Sequence, residues 1–116
     1  MKIVRVFTGS DGKSHFEEVD IPMVEKSPAD WRSIFTKATG IIFRETTPQY
    51  DLDYHVAPQR QYVITVKGYV DIVVGDGSSR RFGPGDIMLA EDTTGQGHIS
   101  RAVNNKPREC IFVTLD

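Results

Sequence analysis

The feature that most constrains this chain is its punctuation, because short β-rich runs are repeatedly cut off by turn residues. Lys2 to Phe7 ends in Thr8-Gly9-Ser10-Asp11-Gly12, and Ser14 to Ile21 is stopped by Pro22. Ile41 to Thr46 runs into Pro48, and Tyr54 to Ala57 into Pro58. Gln61 to Val66 turns through Lys67-Gly68 into Tyr69 to Val74, where Gly75-Asp76-Gly77 gives a hairpin signal before Arg80 to Phe82. Phe82-Gly83-Pro84-Gly85-Asp86 forms a corner ahead of Ile87 to Ala90. Ile99 to Val103 and Cys110 to Leu115 complete the series. Many short strands separated by turn signals indicate an all-β sandwich or barrel. Closure into a barrel removes exposed strand edges, so the expectation is a mostly antiparallel β-barrel around an interior pocket.

One segment departs from this rhythm. Ser27 suits a helix cap, Pro28 the first helical position, and Asp30 completes a capping-box pattern. Trp31, Ile34, Phe35 and Ala38 follow at helical spacing, and Gly40 offers a stop. The spacing predicts one short helix packed across an end or face of the sheet; the competing reading is an irregular crossover that buries Trp31.

Size and charge narrow the function classes. A chain of 116 residues makes one domain, residues 1–116. Apolar residues at 39% and charged residues at 26% fit neither a disordered chain nor a membrane protein. No apolar run reaches membrane-spanning length, and the N-terminal run alternates too much for a signal peptide. A net charge of −2 with scattered basic residues gives no footprint for nucleic acid. Cys110 is the only cysteine and sits in an apolar run, which predicts a buried reduced thiol in a cytoplasmic protein.

Two stretches carry a resemblance. His55-Val-Ala-Pro-Gln-Arg-Gln61 through Gly68 resembles the first motif of the cupins, and Pro84-Gly85-Asp86 through Gly95-Gln-Gly-His98 resembles their second. The similarity covers roughly residues 41 to 115 and implies a cupin-type antiparallel barrel, or jelly roll. Metal-binding cupins place two histidines and a glutamate in the first motif and a third histidine in the second. Here His55 and His98 match histidine positions, Ala57 stands at the other histidine and Gln61 at the glutamate. Gly68, Gly85 and Gly95 match, whereas Thr93 stands at a usual proline and Ala102 at a usual asparagine. The resemblance thus implies one divalent transition metal (Fe, Mn, Ni or Zn) on His55, Gln61 and His98, or a site that works without one.

Both versions point to a small-molecule pocket. Imidazole serves as general acid or base near neutral pH, so His55 and His98 are the candidate catalytic residues of a lyase, an isomerase or a metal-dependent oxygenase. Period-two alternation puts Gln61, Val63 and Thr65 inward as substrate-binding candidates, and Arg60, Tyr62 and Ile64 outward. Outward apolar residues favour a homodimer. Glu45 supplies a carboxylate to a metal if it faces inward, although a solvated strand residue is the favoured reading. His15 reads as a surface or dimer-edge residue, and Arg80 and Arg81 as a solvated hairpin end. Asp92 either orients His98 through a hydrogen bond or serves in a turn. The competing functions are a non-catalytic binding or sensing protein and a dimeric scaffold with a vestigial pocket.

Overall fold

The computed structural model describes residues 1–116. Twelve strands are formed: β1 (Lys2–Thr8), β2 (Ser14–Asp20), β3 (Val24–Ser27), β4 (Asp30–Arg32), β5 (Gly40–Thr46), β6 (Asp51–His55), β7 (Gln61–Lys67), β8 (Val70–Val73), β9 (Ser79–Phe82), β10 (Ile87–Ala90), β11 (His98–Ala102) and β12 (Arg108–Thr114). A six-stranded sheet has the order β2-β1-β10-β7-β12-β5, and a four-stranded sheet the order β6-β11-β8-β9. All ladders are antiparallel except β1 with β10. Val6, Val63, Met88, Ala90 and Cys110 of the large sheet meet Val70, Ile72 and Phe82 of the small one in a single core. Each such valine or isoleucine contributes roughly 1.5–3 kcal/mol by leaving water. Cys110 is buried and unpaired, as its apolar run predicts.

The fold is all-β, but two expectations are corrected. The sheets face each other without closing into a barrel, leaving β2 and β5 as edges of one sheet and β6 and β9 as edges of the other. All four edges carry charged side chains, which blunt pairing with another chain; β5, with Ile41, Ile42 and Phe43 exposed, is the most apolar of the four.

The predicted helix is absent. Pro28 and Ala29 instead turn β3 into β4, with the Ser27 hydroxyl accepting from the Ala29 amide at 3.4 Å, and residues 33–39 have no regular structure. A helix of this length draws most of its stability from burying its apolar stripe. Here Ile34 and Phe35 are 76% and 90% exposed, so the stripe has nothing within the chain to pack against. The crossover alternative is right about the irregular path after Arg32 and wrong about Trp31, which is exposed.

Candidate functional site

Between the two sheets lies a cavity of about 280 Å³ whose lining is mostly apolar. His55, at the end of β6, and His98, at the start of β11, are direct register partners. Their ring centroids are 4.5 Å apart with planes tilted by 58°, and both rings line the cavity. A glycine makes this approach possible. Gly97 has φ +78°, and a Cβ there would collide with the His55 carbonyl oxygen. The ladder slips by one residue just past His98, a bulge of the kind that re-aims side chains beside functional sites.

The second nitrogen of each ring is held. Nδ1 of His55 lies 2.8 Å from the Asp53 carbonyl oxygen, which can only accept, so Nδ1 donates. Nδ1 of His98 lies 2.6 Å from Oδ2 of Asp92, and the same oxygen accepts from the Ser14 hydroxyl at 2.6 Å. Asp92 is completely buried and follows β10 by two residues. Of the two readings of Asp92, the structure contains the hydrogen bond to His98. Nε2 is therefore the nitrogen left free on each ring, a lone pair when the ring is neutral and a donor when it is charged.

Gln61 and Val63 also line the cavity, and Ala57 lines it at the position that carries no donor atom. Thr65 does not line it. It is buried behind Arg108, its hydroxyl accepting from Nη2 at 2.9 Å. Arg60, Tyr62 and Ile64 lie on the opposite side of β7 from the cavity, as alternation requires.

Among the lining residues that the sequence reading missed are two arginines, Arg108 and Arg44. Arg108 is 5% exposed, makes no ion pair and leaves Nε without a partner. Burial pushes its guanidinium below the ordinary range, and the like charge of Arg44 adds to this. Arg44 stacks over the rings of Tyr50 and Phe112, at 4.8 and 5.3 Å from their centroids. The available signal was parity, since Arg108 shares the inward face of β12 with Cys110.

The remaining candidates lie elsewhere. Glu45 is exposed and sits opposite Glu109, so it offers no carboxylate to the cavity. His15 pairs with Asp11 at the first hairpin, and that hydrogen bond holds the Asp11 carboxyl below the usual range. Arg80 and Arg81 pair with Glu18 and Asp71 at the surface.

The metal expectation meets a poor donor set. His55, Gln61 and His98 supply two imidazoles and a neutral amide, and no group of three or more His, Cys, Asp or Glu residues converges anywhere in the chain. The one nearby carboxylate, Asp92, does not line the cavity, and its Oδ2 is taken by His98 and Ser14. Two guanidiniums facing the same cavity further oppose a dication. These residues do not fit the metal centre that the cupin motif implies.

No family model and no curated protein matches the sequence. Solved structures do match. A Cupin 2 conserved barrel domain protein from Salinispora arenicola aligns over 82% of this chain and 73% of its own, at 15% identity and TM-score 0.53. A sugar phosphate isomerase from a cupin superfamily, from Silicibacter pomeroyi, aligns over 100% of this chain and 71% of its own, at 18% identity and TM-score 0.53. An uncharacterized conserved protein with a double-stranded beta-helix domain from Klebsiella pneumoniae aligns over 78% and 80%, at 21% identity and TM-score 0.50. The two facing sheets agree with these neighbours, and the chain has the cupin fold.

Proposed function

We propose that this protein is a small-molecule enzyme that moves protons with His55 and His98 and needs no metal to do so, in the manner of an isomerase or lyase. The observation that carries the reading is the hydrogen-bonded chain Ser14–Asp92–His98 facing His55 across 4.5 Å. Asp92 orients the His98 ring and stabilises the imidazolium formed when Nε2 takes a proton. Asp53 orients His55 through its carbonyl. Two imidazoliums this close repel, so one ring works protonated and the other neutral. A turnover that takes a proton from one carbon at His98 and delivers one to its neighbour from His55 leaves the pair's charge unchanged. Gln61 hydrogen-bonds a substrate oxygen, and Val63 packs against its carbon skeleton. That a neighbour in this fold is described as a sugar phosphate isomerase supports the isomerase reading.

The test is exchange of carbon-bound hydrogen in D₂O, followed by proton NMR, with 2-oxo acids and aldose or ketose phosphates as substrates. The expected result is exchange that survives a chelator and is lost in His98→Asn. Exchange that disappears with the chelator and returns with Fe, Mn, Ni or Zn would restore the metal-dependent reading. Binding without exchange would favour a sensing role.

The working unit in this proposal is a homodimer. Ile34, Phe35, Ile41, Ile42 and Phe43 are all exposed on the edge strand β5 and the segment before it, more apolar surface than a lone small domain usually shows. Sedimentation of the wild type and of Phe43→Asp checks this, with a dimer expected only for the former. No helix is long and apolar enough to cross a membrane.

A further inference from the structure

We propose that Arg108, assisted by Arg44, is the subsite for an oxyanion head group, a carboxylate or a phosphate, on the molecule whose protons the histidines move. The inference builds on the acid–base reading for the role of the histidine end, while the anion subsite stands on its own geometry.

The ladders place the two groups at opposite ends of one cavity. Gln61 pairs with Ala90, two residues before the Asp92 that holds His98. Thr65, the partner of Arg108, lies four residues further along β7, roughly 13 Å at about 3.3 Å per strand residue. Arg44 sits at the Arg108 end, one strand over, where Arg44 pairs with Cys110 and Thr46 with Arg108. Between the two ends the walls include Val63, Ile72 and Met88. The cavity is thus acid–base at one end, apolar in the middle and cationic at the other.

The cationic end is built and left incomplete. Gly68 has φ +81°, and a Cβ there would strike the Pro107 carbonyl oxygen, so the β7–β8 turn presses directly on the start of β12. The β12–β7 ladder slips between Glu109 and Cys110, beside Arg108. The guanidinium set there makes one hydrogen bond, to Thr65, and has an unpartnered Nε. Neither Arg108 nor Arg44 has a carboxylate within ion-pair distance, whereas Arg5, Arg32, Arg60, Arg80, Arg81 and Arg101 all do. The two arginines without counter-ions are the two that line the cavity. A buried guanidinium stays charged and offers a planar fork of donors, which a carboxylate or phosphate completes. A volume near the low end of ligand sites suits a short-chain acid or a small phosphate ester.

The test is an NMR titration of the full chain with succinate and, separately, with inorganic phosphate, at constant ionic strength, with succinamide as the neutral control. Saturable binding of at least one anion is expected, weakened by about tenfold or more in Arg108→Met, because lost charge-assisted hydrogen bonds cost that much. Arg44→Gln should weaken it less. Succinamide should not compete. Preference for succinate assigns a carboxylate, and preference for phosphate assigns a phosphate. The His55→Ala, His98→Ala double variant should bind the preferred anion within about threefold of wild type, since its cationic end is intact. Absence of saturable binding of either anion, or equal binding by wild type and Arg108→Met, overturns the subsite. If Arg108→Met does not fold, Arg44→Gln and Arg108→Lys decide, with unchanged affinity in both counting against it. Anion binding without proton exchange would sink the acid–base reading alone, and exchange on neutral compounds without anion binding would sink the subsite alone.

Discussion

Asp92 and Arg108 invite comparison, because each is a charged side chain buried at one end of the same cavity, and each keeps one polar atom without a partner. Their surroundings differ. Asp92 accepts hydrogen bonds on one carboxylate oxygen from the His98 ring and the Ser14 hydroxyl. Arg108 has only the neutral Thr65 hydroxyl and a neighbour of its own charge. A buried charge matched within the protein orients the groups around it. A buried charge left unmatched is costly, and it persists where something outside the chain completes it. The histidine end is therefore organised by the fold, and the arginine end awaits its counter-ion.

The comparison breaks most sharply on Asp92. Asp92→Ala strips the acceptor from both the His98 ring and the Ser14 hydroxyl, and should cost about 3–5 kcal/mol in denaturant unfolding, since each buried donor left unpaired costs about 1–3 kcal/mol. A loss below about 1 kcal/mol would mean that the dyad is not what holds that end together. Gly97→Ala comes next. It forces a side chain into a left-handed backbone position and against the His55 carbonyl, for roughly 2–3 kcal/mol. Its amide spectrum should change around His55 and His98 more than around Arg108.

A smaller effect belongs to Glu91, one residue before Asp92. Burial alone would raise its pKa, but hydrogen bonds from Arg5 and Arg60, at 2.6 and 2.5 Å, outweigh burial and hold it below the ordinary range. Its stabilisation is complete above the unfolded glutamate pKa of about 4.3 and is lost as pH falls through the lower folded value. Glu91→Gln should cost about 1 kcal/mol at neutral pH and flatten the acid limb of the stability profile. An unchanged acid limb would remove Glu91 from the support of the histidine end.

Arg108→Met should have the smallest effect on stability. Replacing an unmatched buried charge with an apolar side chain of similar length should leave the unfolding free energy within about 1 kcal/mol of wild type, or raise it. A loss of more than about 2 kcal/mol would show that the hydrogen bond to Thr65 is structural and would erase the contrast with Asp92.

Much of this was legible along the chain. The strand runs and their turn stops needed only local preferences, and the inward set Gln61, Val63, Thr65 needed only the period of a strand. His55 and His98 came from motif positions, which register then made into direct partners. The arginines were hidden by habit. Arg108 stands beside Pro107 and Glu109 and reads as a solvated turn, because a lone arginine is seldom buried. The segment from Ser27 to Gly40 misled for the opposite reason. Its caps and apolar spacing were genuine local signals, but no surface within the chain receives the stripe.

The sequence by itself determined that this is an all-β domain with two histidines at matching positions. Alternation and turn chemistry are local, so they survive without knowledge of partners. Only the tertiary structure decided that the sheets stay open, that the helix gives way, that Thr65 serves Arg108, and that Asp92 is matched while Arg108 is not. Each of those depends on which side chains meet across the sheets, and burial and charge compensation exist only between residues that the fold has brought together.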